Sequence, residues 1–388
     1  MNIREAVVKK ASFAASHPEI LERVQCLTVA NDLHPVADSD LLDKMGVYEA
    51  YHEPLYAILH VILSQAKGLR EVKFVFLPLP LKLYEAIMTL PNLHTLRLMA
   101  CSADYKTAEP RPLASSSTVT NFFVGVSDID IWWLVPNIPN IRTMSLISET
   151  YRDSLLPPPK YINTINPFQN LEKLYVFDLP GQDIPGLIGW VKTANQNIPL
   201  PLTHLKLSGK RPFSPEILHD ILSVFGTPTM QYLSLRAVAD APPSLLKHLA
   251  KAFPNLISLT LILSRHRNSA TASVVWPHPL ADYATMLSEF NCLRYFRWNQ
   301  AIGSPGSKTI GEWKRVFEDL RDNAKVFATE VPSLEYIDFL EGREPNLGLL
   351  ARRDDSGEAS FDMDIGSSRL DPNLHDPSLS PRNTWWLI

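Results

Sequence analysis

Cysteine is nearly absent: 388 residues hold three, Cys26, Cys101 and Cys292. None stands in a CxxC pair or beside a set of histidines, which excludes a disulfide framework and favours a reducing compartment, cytoplasmic or nuclear. Glycine is scarce too, 15 residues against 32 prolines, so stops are imposed mainly by proline. The first thirty residues lack a signal-type apolar stretch. No later run reaches the roughly eighteen uninterrupted apolar residues of a membrane span. Nor is there an excess of positive charge: Lys+Arg 37 against Asp+Glu 41 leaves −4, without the basic footprint of a nucleic-acid or anionic-membrane binder. What the chain does have is 45% hydrophobic and only 20% charged residues, enough for a sizeable core.

That apolar content is periodic. The phrase apolar-x-x-apolar-x-apolar appears at Val24–Val29, Leu69–Phe74, Leu93–Leu98, Ile141–Leu146, Leu171–Val176 and Leu202–Leu207. It returns at Met230–Leu235, Leu256–Leu261, Leu293–Trp298 and Leu334–Phe339, with a weaker copy at Val119–Val124. Each phrase ends in period-2 alternation, which puts its last two apolar residues on one face of a strand. Between phrases the period becomes helical. Examples are Tyr51, Leu55, Ile58, Leu59, Ile62, Leu63 and Ala66, and later Trp313, Val316, Phe317, Leu320, Ala324 and Phe327. Shorter stretches run over Ile217–Phe225 and Leu245–Phe253. Pro91, Pro139, Pro254 and Pro332 each stand two residues before a phrase and end the preceding helix. A strand and a helix, repeated, stack into a solenoid, because no unit buries its apolar face alone.

The phrases resemble leucine-rich repeats of the irregular, ribonuclease-inhibitor-like kind in fungal F-box proteins, over residues 20–340. His17–Val29 is similar to the segment that follows the F-box there. The resemblance implies an α/β leucine-rich-repeat solenoid, horseshoe or arc, with a parallel sheet on the concave face and helices on the convex one. It also implies the substrate-receptor half of a ubiquitin ligase, docking to the ligase adaptor subunit through an F-box. The sixteen residues before His17 are too few to hold that module. The repeat consensus also places Asn or Cys three residues after the last strand leucine. Cys101 satisfies it, whereas Asp32, Gly209, Val238 and Ser264 stand in equivalent places, so uneven repeats are expected.

This reading divides the chain into an N-terminal helical cap or post-F-box remnant (1–19), about eleven repeats (20–340) and an acidic tail (341–388). The tail carries nine acidic and five basic residues and ends Trp385-Trp386-Leu387-Ile388. Its composition is loop-like, and its apolar end suits either a cap on the last repeat or a docking motif. Segments 102–118, 148–166, 264–281 and 299–309 read as loops. Catalytic motifs are missing. Gly303–Thr309 has Ile302 and Ser307 where a phosphate-cradling loop needs glycine. Arg265-His266-Arg267 reads as a loop tip, and Asp128/Asp130 and Asp354/Asp355 as solvated pairs. Cys101 fits a core turn. No cofactor is implied.

Repeat register also predicts which residues face outward on each strand. The central column is Thr28, Lys73, Arg97, Phe123, Ser145, Tyr175, Lys206, Ser234, Thr260, Arg297 and Asp338. With the columns on either side it holds six Lys/Arg and two acids. The expectation is an outward-pointing cationic face with interleaved aromatics, formed by Lys73, Arg97, Lys173, Tyr175, Phe177, Lys206, Tyr232, Arg236, Tyr295 and Arg297. Tyr and Arg are common anchors of interfaces, and Arg pairs bidentately with carboxylate or phosphate. The function read from this is non-enzymatic binding of an acidic or phosphorylated protein segment. A scaffold unrelated to ubiquitination and an enzyme built on loops 102–118 and 264–281 are the alternatives.

Overall fold

The computed structural model describes residues 3–30, 45–103, 114–126, 129–148, 156–181, 183–195, 199–264, 276–299, 310–339, 347–354 and 356–365. The chain forms two compact units, Met1–Leu171 and Glu172–Ile388. All eleven phrases, including the weak copy at Val119, supply a strand.

In the first unit, helices α1 (Ile3–Ala15), α2 (Pro18–Leu21), α3 (Met45–Gln65) and α4 (Leu81–Met88) accompany seven strands. β1 (Cys26–Ala30), β2 (Glu71–Val75), β4 (Thr95–Met99), β6 (Asn121–Val126) and β7 (Thr143–Ser148) pair in that order, all parallel. β3 (Pro78–Leu79) and β5 (Ser102–Ala103) form a small parallel pair beyond the main strands. Residues 102–103 therefore leave the loop expected from 102 onward. The apolar phrase residues face inward, with Leu96, Leu98, Phe122, Val124, Met144 and Leu146 fully buried. On α3 the predicted stripe supplies Leu59, Ile62, Leu63 and Ala66 to the same core. The segment 148–166, read as a loop, holds a helical turn, and the connection before β7 is a 3-10 helix. A 3-10 helix (Ile129–Asn137) links β6 to β7, and among the described residues beyond β7 stand the turn-long α5 (Pro159–Ile162) and a 3-10 turn (Pro167–Asn170). Proline at Pro136, Pro159 and Pro167 withholds the amides a longer α-helix needs.

The second unit repeats the plan. β8 (Lys173–Leu179), β9 (His204–Phe213), β10 (Tyr232–Val238), β11 (Ser258–Leu263), β12 (Tyr295–Trp298) and β13 (Tyr336–Phe339) are parallel. Helices α6 (Asp183–Ala194), α7 (Pro215–Phe225), α8 (Pro243–Ala252), α9 (Leu280–Leu287) and α10 (Ile310–Glu330) fill the connections. α6 is helical despite Pro185, Gly186 and Gly189, because Ile184, Leu187, Ile188, Trp190 and Val191 bury one continuous face. Ser214 caps α7, its hydroxyl accepting from the Ile217 amide. The tail differs from its loop-like reading. β14 (Leu347–Arg353) pairs antiparallel with β13, and β15 (Ala359–Ile365) with β14. Leu349 and Phe361 alternate inward from this hairpin, and it covers the edge that β13 would otherwise leave open. Trp385 and Trp386 lie outside the described residues.

Two backbone devices hold successive repeats in step. The carbonyl just before nine of the strands accepts two amides of the next repeat. Thus Gln231 O takes Ile257 N and Ser258 N at 2.8 and 3.0 Å, and His94 O takes Thr120 N and Asn121 N at 3.0 Å each. The second is an asparagine ladder, displaced from the consensus position to the residue before the phrase. Asn92, Asn140, Asn170 and Asn255 each donate Nδ2 to a carbonyl of the preceding repeat, at Lys67, Ser117, Pro139 and Pro228. At the other strand end, Phe76, Ala100, Asp178 and Ala237 turn the chain through left-handed backbone, φ 49–81°, always two residues after the last phrase residue. Each costs about 1–2 kcal/mol without glycine. The amides of Phe76 and Ala100 nonetheless reach Met99 O and Gly125 O at 2.9 and 2.7 Å.

Leu259→Ala, which empties a fully buried position, is expected to cost about 2–5 kcal/mol. Asn255→Ala, which removes one exposed rung, should cost about 1 kcal/mol. Urea unfolding of the whole chain measures both.

Candidate binding face

The predicted columns align in register. In the first unit Thr28, Lys73, Arg97, Phe123 and Ser145 are successive partners across β1, β2, β4, β6 and β7. In the second, Tyr175, Lys206, Ser234, Thr260, Arg297 and Asp338 are successive partners from β8 to β13. All lie on the face opposite the leucines. Outward-pointing is not the same as solvated here. Strands stand only about 4.8 Å apart, and the long side chains lie down across their neighbours.

In the first unit Arg97 donates Nε to Glu71 Oε1 at 2.7 Å, and its guanidinium carbon lies 4.0 Å above the Phe123 ring. It is 9% exposed. Half-buried Lys73 sits beside this pair. Burial pushes its pKa down, the Arg97 charge adds to that, and Glu71 opposes it.

In the second unit Arg297 donates Nε to Asp338 Oδ2 at 2.6 Å, and its Nη2 contacts the same oxygen. Arg297 is 3% exposed and Asp338 fully buried. Burial presses the Arg297 pKa down against the pull of Asp338, and at such basicity the guanidinium stays charged. Tyr175 and Phe177 are buried as well. They form floor rather than contact surface, with Lys206 Nζ 4.4 Å above the Phe177 ring. His204 stacks on Tyr232, ring centroids 4.2 Å apart. The Lys206 ammonium has its pKa pushed down to about 7. Burial is the main cause, then repulsion by Arg236 and Arg297; Asp178 pulls the other way. Asp178 is exposed and accepts from Ser208 Oγ at 3.2 Å.

Of the ten expected residues, the structure brings Tyr175, Phe177, Lys206, Tyr232, Arg236 and Arg297 into one neighbourhood. Lys173 starts β8, partnering His204. Lys73 and Arg97 belong to the first unit. Lys173, Lys206, Tyr232 and Tyr295 are half-buried and Arg236 is exposed. Tyr295 donates its hydroxyl to Glu335 at 3.3 Å, and Glu335 is ion-paired with Arg294. That hydrogen-bonded pair raises the Arg294 pKa. Sequence reasoning missed Asp178 and His204 as neighbours of Lys206. Asp178 falls outside the three columns, since it sits in the left-handed turn. His204 lies in a column but carries no signal there beyond its type.

A shallow groove of about 530 Å³ lies at the strand entrances, lined by Gln231, Asn255, Ile257, Cys292, Arg294, Ser333 and Glu335. Its charged groups are the Arg294–Glu335 pair. Among the described residues no three His, Cys, Asp or Glu stand together as a metal site, and no helix is long and apolar enough to cross a membrane. Gly303–Thr309, Arg265–Arg267, Asp355 and the side chains of Asp128 and Asp130 lie outside the described residues. Cys101 is buried, Cys26 and Cys292 exposed.

Each unit thus has the leucine-rich-repeat fold: short parallel strands in register, leucines to one side, helices or 3-10 turns between. No protein-family model and no curated protein matches the chain. Among solved structures it is similar to an internalin from Listeria monocytogenes, at 14% identity and TM-score 0.29, covering 77% of this chain and 88% of that one. It is also similar to TLR13 in the TLR13–ssRNA13 complex, at 12% identity and TM-score 0.32, covering 71% of this chain and 39% of that one.

Two outcomes follow from the electrostatics. Arg297→Met strands the Asp338 charge and should destabilise the fold by about 3–5 kcal/mol, whereas Arg297→Met with Asp338→Leu should recover most of it; chemical denaturation decides. Lys206 has a lowered folded pKa, so the unfolded chain binds more protons between about 7 and 10.5. Stability of the native protein relative to Lys206→Met should therefore rise across that window and level off below pH 7, as read from paired melts.

Proposed function

We propose that the chain is a protein-recognition module whose second unit grips an acidic or phosphorylated segment of a partner protein on the open face of its sheet. One observation carries this reading. The reachable charged groups among the predicted column residues there are Lys173, Lys206 and Arg236, beside Tyr232 and Tyr295, while the column's acid, Asp338, is buried against Arg297. The surface therefore offers net positive charge and flat aromatic area, which favour a negatively charged, extended segment. Lys73 gives the first unit a smaller version of the same surface.

The test is binding of synthetic acidic peptides, phosphorylated and not, to the full chain. Reversal to Glu at Lys173, Lys206 and Arg236 together should weaken binding at least a hundredfold while the circular-dichroism melt is retained. Arg97 and Arg297 are unsuited to this test, because reversal would set Glu against Glu71 or Asp338. Undiminished affinity in the triple variant would overturn the reading.

The finer form of the proposal follows the sequence resemblance: a substrate receptor of an F-box-type ubiquitin ligase, acting in cytoplasm or nucleus. What supports it is the phrase pattern with the His17–Val29 segment. Binding of the purified ligase adaptor subunit to the chain would sustain it. Failure to bind retires the ligase role and leaves a scaffold or adaptor that uses the same face.

A further inference from the structure

The first and last repeats are finished differently. In the second unit β14 and β15 close on β13, and β15 carries Asp362 and Asp364, charges that discourage a further strand from adding there. In the first unit β1 pairs, among the described residues, with β2 alone. It reads Cys26-Leu27-Thr28-Val29-Ala30, without charge, proline or glycine. Its core face is unfinished as well. Val72 and Phe74 of β2 are fully buried, whereas their partners Leu27 and Val29 are only half-buried. A repeat completes its layer with a neighbour on either side, and this one has β2 on one side.

The ladder also shows which backbone groups are turned outward. Gln25 O accepts the Glu71 amide at 3.0 Å, so in this parallel pair Leu27 and Val29 turn their N–H and C=O toward β2, and Cys26, Thr28 and Ala30 turn theirs away from it. Cys26, Thr28 and Ala30 are exposed. The helices of the same repeat leave large apolar side chains in water. Phe13 on α1 is 57% exposed, Ile20 on α2 41% and Val61 on α3 39%, and no other large apolar side chain among the described residues is exposed. α1 packs on α2 and α3, so these residues belong to one end of the unit. Exposed apolar surface gathered in one place marks an interaction site.

We propose that β1 is a dimer interface, on which a second copy of this chain lays its own β1 antiparallel about a two-fold axis at Thr28. Thr28 then pairs with Thr28 and Cys26 with Ala30, each pair exchanging two hydrogen bonds through the outward-turned groups. On the core face Leu27 of one copy meets Val29 of the other and completes the layer. On the open face threonine meets threonine, a favourable cross-strand pair, and no charge meets its like. The axis stands perpendicular to the sheet, so both copies keep their helices on the same side, where Phe13, Ile20 and Val61 are exposed. A lone strand from another protein would satisfy the edge and leave those side chains uncovered. The pairing is isologous and closes on itself. Such a dimer does not depend on what the open face binds, and it joins two first-unit faces into one sheet.

Sedimentation velocity of the full chain over a concentration series tests this. A monomer–dimer equilibrium is expected in the micromolar range, with no larger species. Thr28→Pro removes an amide that β2 does not use, a position where an edge strand tolerates proline. It should weaken the dimer at least tenfold while the circular-dichroism melt is retained; Ala30→Pro serves the same purpose should that variant fail to fold. Crosslinking reads the register. In a Cys26→Ser, Cys292→Ser background, Thr28→Cys should form an intermolecular disulfide under mild oxidation, because paired Cα atoms there stand about 5.5 Å apart, inside the bridging range. Ser360→Cys on β15 should form none. A dimer that both proline variants leave intact, or crosslinking through Ser360→Cys in place of Thr28→Cys, would overturn the assignment. So would a chain that stays monomeric at every concentration, and slow hydrogen exchange at the Thr28 amide of that monomer would show the edge covered from within the chain.

Discussion

The strand-entrance carbonyl that accepts two amides of the following repeat is the constraint on which the rest depends. It fixes each strand against the next in parallel register, and a slip by one residue would turn every phrase inside out. The bonds are made by backbone, so Gln25, Arg70, His94, Thr120, Glu172, Thr203, Gln231, Ile257 and Arg294 all serve equally as acceptors. That tolerance explains how repeats of uneven length and helices of uneven quality coexist. Only the apolar phrase and the spacing to its strand must be kept.

Register has an electrostatic consequence. Side chains at equivalent positions stand one strand apart, so charges on the open face meet their neighbours before they meet solvent. Where an adjacent repeat supplies an acid, as Asp338 does for Arg297 or Glu71 for Arg97, the cation becomes internal. Where it supplies serine, threonine or an aromatic, the cation is less enclosed. Lys206 is of the second kind. The face thus divides into structural pairs and a smaller set of reachable groups.

The left-handed turns at Phe76, Ala100, Asp178 and Ala237 connect backbone strain with this surface. Phe76 and Ala100 follow directly on their strands, whereas Asp178 and Ala237 fall at register shifts near the ends of β8 and β10. At Asp178 the turn also sets a carboxylate beside Ser208 and within reach of Lys206. An acid placed there tempers the cationic cluster without neutralising it.

The strands, their order and the inward leucines were legible from the sequence, because burial on one face of a strand is written locally as spacing. The three outward columns were legible for the same reason. Asn92, Asn140, Asn170 and Asn255 were visible directly before their phrases, although the ladder was sought three residues after the last leucine. Between β6 and the end of the first unit prolines favour 3-10 turns that no helical spacing announced, and the 347–365 hairpin was hidden by a charged composition. Which columnar residues stay accessible was beyond any local pattern. That Lys206 stays half-buried while Arg297 is enclosed depends on what the adjacent strand places alongside, and residues 30 to 40 positions apart in the chain become neighbours only when the repeats stack.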